Sequence, residues 1–179
     1  MSAQADEADG AVAAVILDMD GVVTDTAQAH FAAWKEVFDD LLAQQGDERP
    51  FSRDDYLEHV DGIPRHDGIR RFLSARDIDL PEGSEKDKSV GSVRGIGNLK
   101  NDRFHAWLDA NRVPVFDDAH DLIDSLKRAG IKVGIFSASR NARRVLQSAG
   151  VADAFDATVD GTDAAEHDLA PKPAPDQLV

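Results

Sequence analysis

The sequence predicts an α/β fold whose sheet is interrupted, after its first strand, by a long helical insertion. Three observations carry that reading. Val12 to Leu17 is a short, continuous, β-branched apolar run, the pattern of a strand buried on both faces. Residues 27–111 then carry only helical periodicity. From Asp117 onward, helix and strand signals alternate as αβαβ.

Element by element, the pattern is as follows. Ala27, His30, Phe31, Trp34, Val37, Phe38, Leu41 and Leu42 recur at three and four residues, so a helix runs from Ala27 to near Gly46. Arg53 to His59 and Arg65 to Ala75 read as two shorter helices, separated by Asp61-Gly62-Ile63-Pro64. Pro81 to Gly97 is polar and glycine-rich and reads as a loop, with Leu99 to Asn111 as the next helix. Asp117 or Asp118 can cap a helix carrying Leu122, Ile123 and Leu126, with Gly130 as its stop. Ile131 to Phe136 is a second strand. Ser139 or a neighbour opens a helix with Val145, Leu146 and Ala149 that ends at Gly150, and Phe155 to Val159 is a third strand. The expected division is therefore an α/β core of residues 1–26 and 112–179 and a helical part of residues 27–111.

Composition narrows the partners. A net charge of −14 argues against nucleic acid or an anionic membrane, both of which need basic surface. There is no cysteine, which excludes disulfides and thiol catalysis. No apolar run approaches the roughly 20 residues a membrane span needs. Met1 to Gly10 is acidic and small-residued, unlike a signal peptide, and reads as a frayed start. A cytoplasmic monomer is the expectation.

Three short stretches carry chemistry. Asp18 and Asp20 stand two residues apart at the end of the first strand, so both project the same way at the edge where open α/β sheets hold ligands. Two carboxylates so close repel unless a cation joins them or they share a proton, and a hard cation such as Mg²⁺ suits oxygen donors. Gly21 lets the chain turn just beyond. The competing reading of Asp-x-Asp-Gly is an ordinary acidic turn. A calcium loop does not fit, because counting from Asp18 the sixth position is not glycine and the twelfth is Ala29. At the end of the second strand comes Phe136-Ser137-Ala138-Ser139-Arg140-Asn141, where hydroxyls, a cation and a helix start converge as a phosphate site requires, or as a plain helix cap does. Lys172 stands between two prolines, rigidly presented to a phosphoryl oxygen or merely solvated.

In combination, Asp18-Met19-Asp20-Gly21-Val22-Val23-Thr24-Asp25-Thr26, a strand followed by Ser137, and Lys172-Pro173-Ala174-Pro175-Asp176 resemble the haloacid dehalogenase superfamily of phosphotransferases. Within it, the chain looks like the β-phosphoglucomutase branch, from about Val12 to its end. The finer matches are Thr24 to Ala27 with His30, Phe31 and Trp34; Gly62-Ile63-Pro64-Arg65; Gly97-Asn98-Leu99-Lys100-Asn101; and Ser137 to Asn141. The resemblance implies a Rossmann-like parallel-sheet core with an inserted α-helical cap. It implies that Asp18 is the nucleophile that becomes an aspartyl phosphate, and that Asp20 is the general acid and base. Mg²⁺ would be held by Asp18 and the main-chain carbonyl of Asp20. Ser137 and Lys172 would bind the transferring phosphoryl group. Arg65, Ser139, Arg140 and Asn141 would hold the sugar's other phosphate, and Thr26, His30, Trp34, Gly62, Ile63 and Lys100 would complete the substrate-binding set. Many relatives carry lysine where Arg140 stands. His30 and Trp34 lie on an apolar stripe and are equally readable as core; the competing reading of Arg65 and Lys100 is a solvated side chain.

The implied reaction interconverts β-glucose 1-phosphate and glucose 6-phosphate, with glucose 1,6-bisphosphate as primer and a small phosphorylated sugar as the partner. The alternatives are a sugar-phosphate or small-acid phosphatase of the same superfamily, or an inactive remnant that binds phosphate. The family's last motif, an acidic pair after a fourth core strand that completes the Mg²⁺ shell, would fall beyond Val179. On that count the sequence is expected to be a C-terminally truncated member.

Overall fold

A computed structural model of the protein describes residues 12–170, 172 and 174–178. The expected frayed start, and the two prolines flanking Lys172, lie outside the described residues. The chain forms two compact units, one of Met1–Asp25 with Val113–Val179 and one of Thr26–Arg112.

The first unit is the α/β unit. Its sheet has three parallel strands in the order β1 (Ala14–Asp18), β2 (Lys132–Phe136), β3 (Ala157–Val159). In β2, Val133 and Ile135 are buried while their neighbours are not, so one face of the strand points into a core. Helix α5 (Asp117–Arg128) packs on β2, and α6 (Ala142–Ala149) buries Val145, Leu146 and Ala149. A short helix α7 (Gly161–Glu166) follows β3.

The second unit is helical. Helix α1 (Ala27–Gln45) packs on α4 (Val93–Ala110), and α3 (Arg65–Ala75) packs on both α4 and α2 (Arg53–His59). The three- and four-residue spacing of the α1 sequence gives its buried stripe of Trp34, Val37, Phe38, Leu41 and Leu42. The core centres on three rings. Phe38 lies 5.0 Å from Phe51 and 4.1 Å from Phe72, and Phe51 lies 5.2 Å from Phe72. Arg76 braces this core from one side: it stacks over Phe72 and pairs with Asp47 and Asp55 at 3.1 and 2.8 Å.

Several elements differ from the sequence expectation. The strand edges move inward: β1 begins at Ala14 rather than Val12, β2 at Lys132 rather than Ile131, and β3 at Ala157 rather than Phe155. The segment expected to be loop through Gly97 is helical from Val93. Ser92 caps α4 by accepting from Gly95 N at 3.1 Å, and Gly95 and Gly97 serve close packing rather than a turn. A side chain at Gly95 would collide with Ser89 O, and one at Gly97 would come within 3.0 Å of the His66 ring. Neither Asp117 nor Asp118 caps α5. Both lie in its first turn, where their charge meets the helix dipole, and Phe116 stands at the cap position without a side-chain bond. Of Ser139 and its neighbours, Asn141 holds the cap position of α6. Helix α7 had no sequence counterpart. It is too short to show a period, and only its capping box, Asp160 with Asp163, marks it.

Candidate active site

In the α/β unit the site is built from the carboxyl ends of β1 and β2. Register pairs Asp18 with Phe136, so Asp18 and Ser137 leave the sheet side by side. Past Asp18 the chain makes a tight turn. Val23 N and Thr24 N both donate to Met19 O, at 2.9 and 3.0 Å, and Gly21 N donates to Thr24 O at 2.9 Å. Gly21 takes a φ of 75°, a region costly for a residue with a Cβ. Met19 and Thr24 are fully buried, which anchors the turn, while Asp20 is exposed on it.

Asp18 has both oxygens engaged. Oδ1 accepts from Met19 N at 2.7 Å, and Oδ2 lies 2.7 Å from Lys172 Nζ. The two side chains are 39 % and 33 % exposed, so the ion pair alone contributes at most about 1 kcal/mol. Its importance is positional: it puts a cation against the carboxylate that would carry a phosphoryl group. Lys172 is also held from below, with its Nζ 4.1 Å from the centre of the Phe136 ring. Phe136 opens the stretch singled out in the sequence but carries no role there, since a strand-ending phenylalanine looks like core.

Ser137 is 2 % exposed, and its Oγ accepts from Ser139 N at 3.1 Å. No described residue accepts its hydroxyl proton, which leaves that donor for a ligand. Ser139 Oγ accepts from Asn141 N at 3.1 Å, so the loop into α6 is tied one residue pair at a time. Arg140 is exposed on this loop and has no side-chain partner among the described residues.

The remaining residues singled out in the sequence belong to the helical unit. His30 stacks on Phe104 at 4.4 Å, and its Nδ1 lies 2.8 Å from Lys100 Nζ. Lys100 is 4 % exposed, with its Nζ 4.6 Å from the Phe104 ring and 5.3 Å from the Trp34 ring. Burial, and then the charges of Lys100 and Arg65, push the His30 pKa down to about 3. His30 is therefore a neutral acceptor for the ammonium. Trp34 belongs to the core cluster and stacks on Phe38. Arg65 opens α3 and donates to Gly97 O at 3.4 Å and Asn101 Oδ1 at 3.1 Å. Gly62, at a φ of 67°, and Ile63 form the turn ahead of α3, and Thr26 is buried at the start of α1. The structure thus gathers Asp18, Ser137 and Lys172 in one unit, and His30, Trp34 and Lys100 in the other. Asn101, which the sequence reading gave no role, helps hold Arg65 together with Gly97 O.

Among the described residues no three acidic or histidine side chains cluster as a metal cage. The donors at the β1 end are carboxylate and carbonyl oxygens, a hard set that suits Mg²⁺ retaining several waters. No described helix is long and apolar enough to cross a membrane.

Comparison with known proteins identifies the family. Residues 12–179 match the haloacid dehalogenase-like hydrolase family. The chain is 40 % identical over 175 residues to a β-phosphoglucomutase of Mycobacterium bovis, covering 94 % of this chain and 67 % of that protein. It superposes with a TM-score of 0.65 on β-phosphoglucomutase from Clostridium difficile, at 26 % identity, covering 94 % of this chain and 68 % of that one. It superposes with a TM-score of 0.67 on CbbY from Rhodobacter sphaeroides in complex with phosphate, at 24 % identity and with 94 % and 70 % covered, a likeness of fold. Family enzymes of this kind generally use Mg²⁺. A parallel sheet with flanking helices, a strand-end aspartate paired with a lysine, and these matches lead to one assignment: the chain belongs to the haloacid dehalogenase-like hydrolase family, whose enzymes are phosphotransferases and phosphatases.

Proposed function

We propose that the protein is a β-phosphoglucomutase, interconverting β-glucose 1-phosphate and glucose 6-phosphate through an aspartyl phosphate and glucose 1,6-bisphosphate. The observation that carries the phosphoryl-transfer reading is the Lys172 ammonium 2.7 Å from Asp18 Oδ2 beside the buried Ser137. The mutase reading adds to it the 40 % identity to a β-phosphoglucomutase.

In this reading an Asp18 oxygen attacks the phosphorus of the bisphosphate. The bond from phosphorus to the sugar oxygen breaks, and Asp20 gives its proton to that oxygen. In the return step Asp20 takes the proton from the other sugar hydroxyl as that oxygen attacks the aspartyl phosphate. Ser137 donates to a phosphoryl oxygen, and Lys172 shifts from the free carboxylate to the phosphorylated one, so the transferred charge is balanced throughout. Mg²⁺, held by Asp18 and the Asp20 carbonyl, supplies further charge neutralisation when bound. Arg140, which has no partner on its loop, and Arg65 serve the phosphate that is not transferred. Neutral His30, Lys100 and Thr26, with Gly62 and Ile63, serve the sugar, and Trp34, part of the core, backs Lys100 with its ring.

The test is a coupled assay of glucose 6-phosphate formation from β-glucose 1-phosphate with Mg²⁺, with and without bisphosphate primer, alongside phosphate release. Primer-dependent isomerisation that outruns release is the expected result. Release that outruns isomerisation regardless of primer would make the protein a phosphatase, and neither activity would leave a phosphate-binding remnant.

A further inference from the structure

We propose that the turn between β3 and α7, through Asp160, Gly161 and the strap residue Arg143, positions the Ser137–Asn141 loop for anion binding. This rests on the reading that the loop holds a phosphoryl group. None of the three residues belongs to the set that would touch substrate, so all are positioning residues.

Two backbone bonds run from this turn to the loop. Ser137 N donates to Val159 O at 2.9 Å, and Gly161 N donates to Ser139 O at 3.2 Å. They fix the loop on both sides of Ala138, so that the buried Ser137 hydroxyl, which accepts from Ser139 N at 3.1 Å, sits on a held backbone. The approach is so close that a Cβ at Gly161 would collide with Ala138 O and stand 3.0 Å from Arg140 N. Gly161 does not adopt a positive φ, so glycine is needed here for space alone.

Asp160 locks the turn from the other side. It is 2 % exposed, and its Oδ1 accepts from Thr162 N at 2.7 Å and Asp163 N at 3.1 Å. Its Oδ2 lies 3.1 Å from Arg143 Nε. Arg143 also reaches Asp163 Oδ2 at 2.8 Å and Thr158 O at 3.2 Å. Arg143 is in the first turn of α6, the helix that the anion loop opens. The guanidinium therefore straps the start of α6 to β3 and to both acids of the α7 capping box. A buried carboxylate is poor evidence for stability, since desolvation offsets the pairing. Its place here is better explained by geometry: with every oxygen satisfied, it can hold only one arrangement of the turn against the loop.

Gly161→Ala, Arg143→Ala and Arg143→Lys are compared with the parent, with Ser137→Ala as the test of the loop itself. Lys132→Gln, which breaks an exposed ion pair at the other end of β2, is the control. Each full chain is melted, titrated with inorganic phosphate in the presence of Mg²⁺, and assayed on p-nitrophenyl phosphate. Backbone amide shifts of Ser137 to Asn141 are followed during the titration. We expect Gly161→Ala and Arg143→Ala to weaken phosphate binding at least fivefold and to lower kcat at least tenfold. The loop amide shifts should change in both, and Arg143→Lys should recover part of each loss. Arg143 is half exposed, so its variants keep the test open if Gly161→Ala folds poorly. Gly161→Ala or Arg143→Ala binding phosphate and turning over within twofold of the parent, while Ser137→Ala loses both, overturns the positioning role and leaves the loop reading standing. Ser137→Ala matching the parent in both overturns the loop reading, and the positioning role with it.

Discussion

His30 illustrates how one side chain couples charge to folding. Its imidazole accepts from the buried Lys100 ammonium and lies near Arg65, and burial with these two cations pushes its pKa down to about 3. His66 is lowered as well, by burial and by Arg65 and Arg94. The unfolded chain takes up a proton near the usual value of 6.5, and the folded chain does not. Stability is therefore complete above that value and is lost as pH falls through it. From pH 7 to pH 5 the His30 contribution alone falls by about 2 kcal/mol. The depressed carboxylates, Asp47 and Asp55 among them, do not enter that window, because they matter only below the ordinary range of Asp. Denaturant melts at pH 7 and pH 5 should show the loss, and His30→Asn should flatten it; a variant with the parent's slope would show that another group is responsible. Asp18 and Arg65 give the functional counterparts. Asp18→Asn removes the anionic oxygen and should leave a folded protein with under about 1 % of parent turnover, given that a lost nucleophile has no substitute. Arg65→Ala should lower sugar-phosphate isomerisation by about tenfold or more while sparing p-nitrophenyl phosphate, which has no second phosphate; a charge-assisted bond of this type is worth roughly 1.5–3 kcal/mol. Equal losses on both substrates would assign Arg65 a structural role. At this scale the sequence named Asp18, Ser137 and Lys172 because chemistry-bearing types recur at fixed spacing. It gave no role to Phe136 and did not name Gly161, because their roles depend on what lies across a strand or a turn.

At the scale of elements, α4 shows where local pattern and packing diverge. Its first five residues hold two glycines, Gly95 and Gly97, and a reader of propensities places a loop there. In an ordinary helix interior, replacing Gly by Ala stabilises by about 0.5–1 kcal/mol. At Gly95 the added methyl would instead collide with Ser89 O, and overpacking of that kind typically costs about 1–3 kcal/mol. The steric term wins, so Gly95→Ala should lower the melting temperature, and a rise would show that the Ser89 turn gives way easily. Ser92→Ala should cost about 1 kcal/mol, because it removes the cap on Gly95 N and the partner of Asp87 together. The long amphipathic α1 was legible to within a residue, since its period repeats many times. Helix α7 and the shortened strand ends were not, because a capping box or one ladder bond decides them, and neither leaves a periodic trace.

For the whole molecule, the division into units has a thermodynamic consequence. The helical unit is one continuous stretch, Thr26–Arg112, and every member of its core cluster, from Phe31 to Leu99, comes from that stretch. Its bracing ion pairs, Arg76 with Asp47 and Asp55, are internal too, as are the Arg103 contacts with Glu36 and Asp40 that link α4 to α1. A segment with its own core and its own braces satisfies the physical definition of a domain. The α/β unit, by contrast, must bring two distant stretches together, pairing Ala14–Asp18 with Lys132–Phe136. Closing a loop as long as the whole helical segment costs entropy that a prefolded segment reduces, because its ends are then already fixed. Residues 26–112 expressed alone should therefore fold and melt cooperatively, and should keep the pH 5 destabilisation that His30 confers. Phe72→Ala in that fragment should cost about 3–5 kcal/mol, enough to unfold a small domain. In the intact protein the same substitution should weaken the α/β unit as well, by freeing the segment that closes its loop. Circular dichroism melts of the fragment, and calorimetry of the intact pair, decide the matter. A fragment without a cooperative transition, or an intact Phe72→Ala protein whose α/β transition is unmoved, would mean that the two units do not depend on each other in this order.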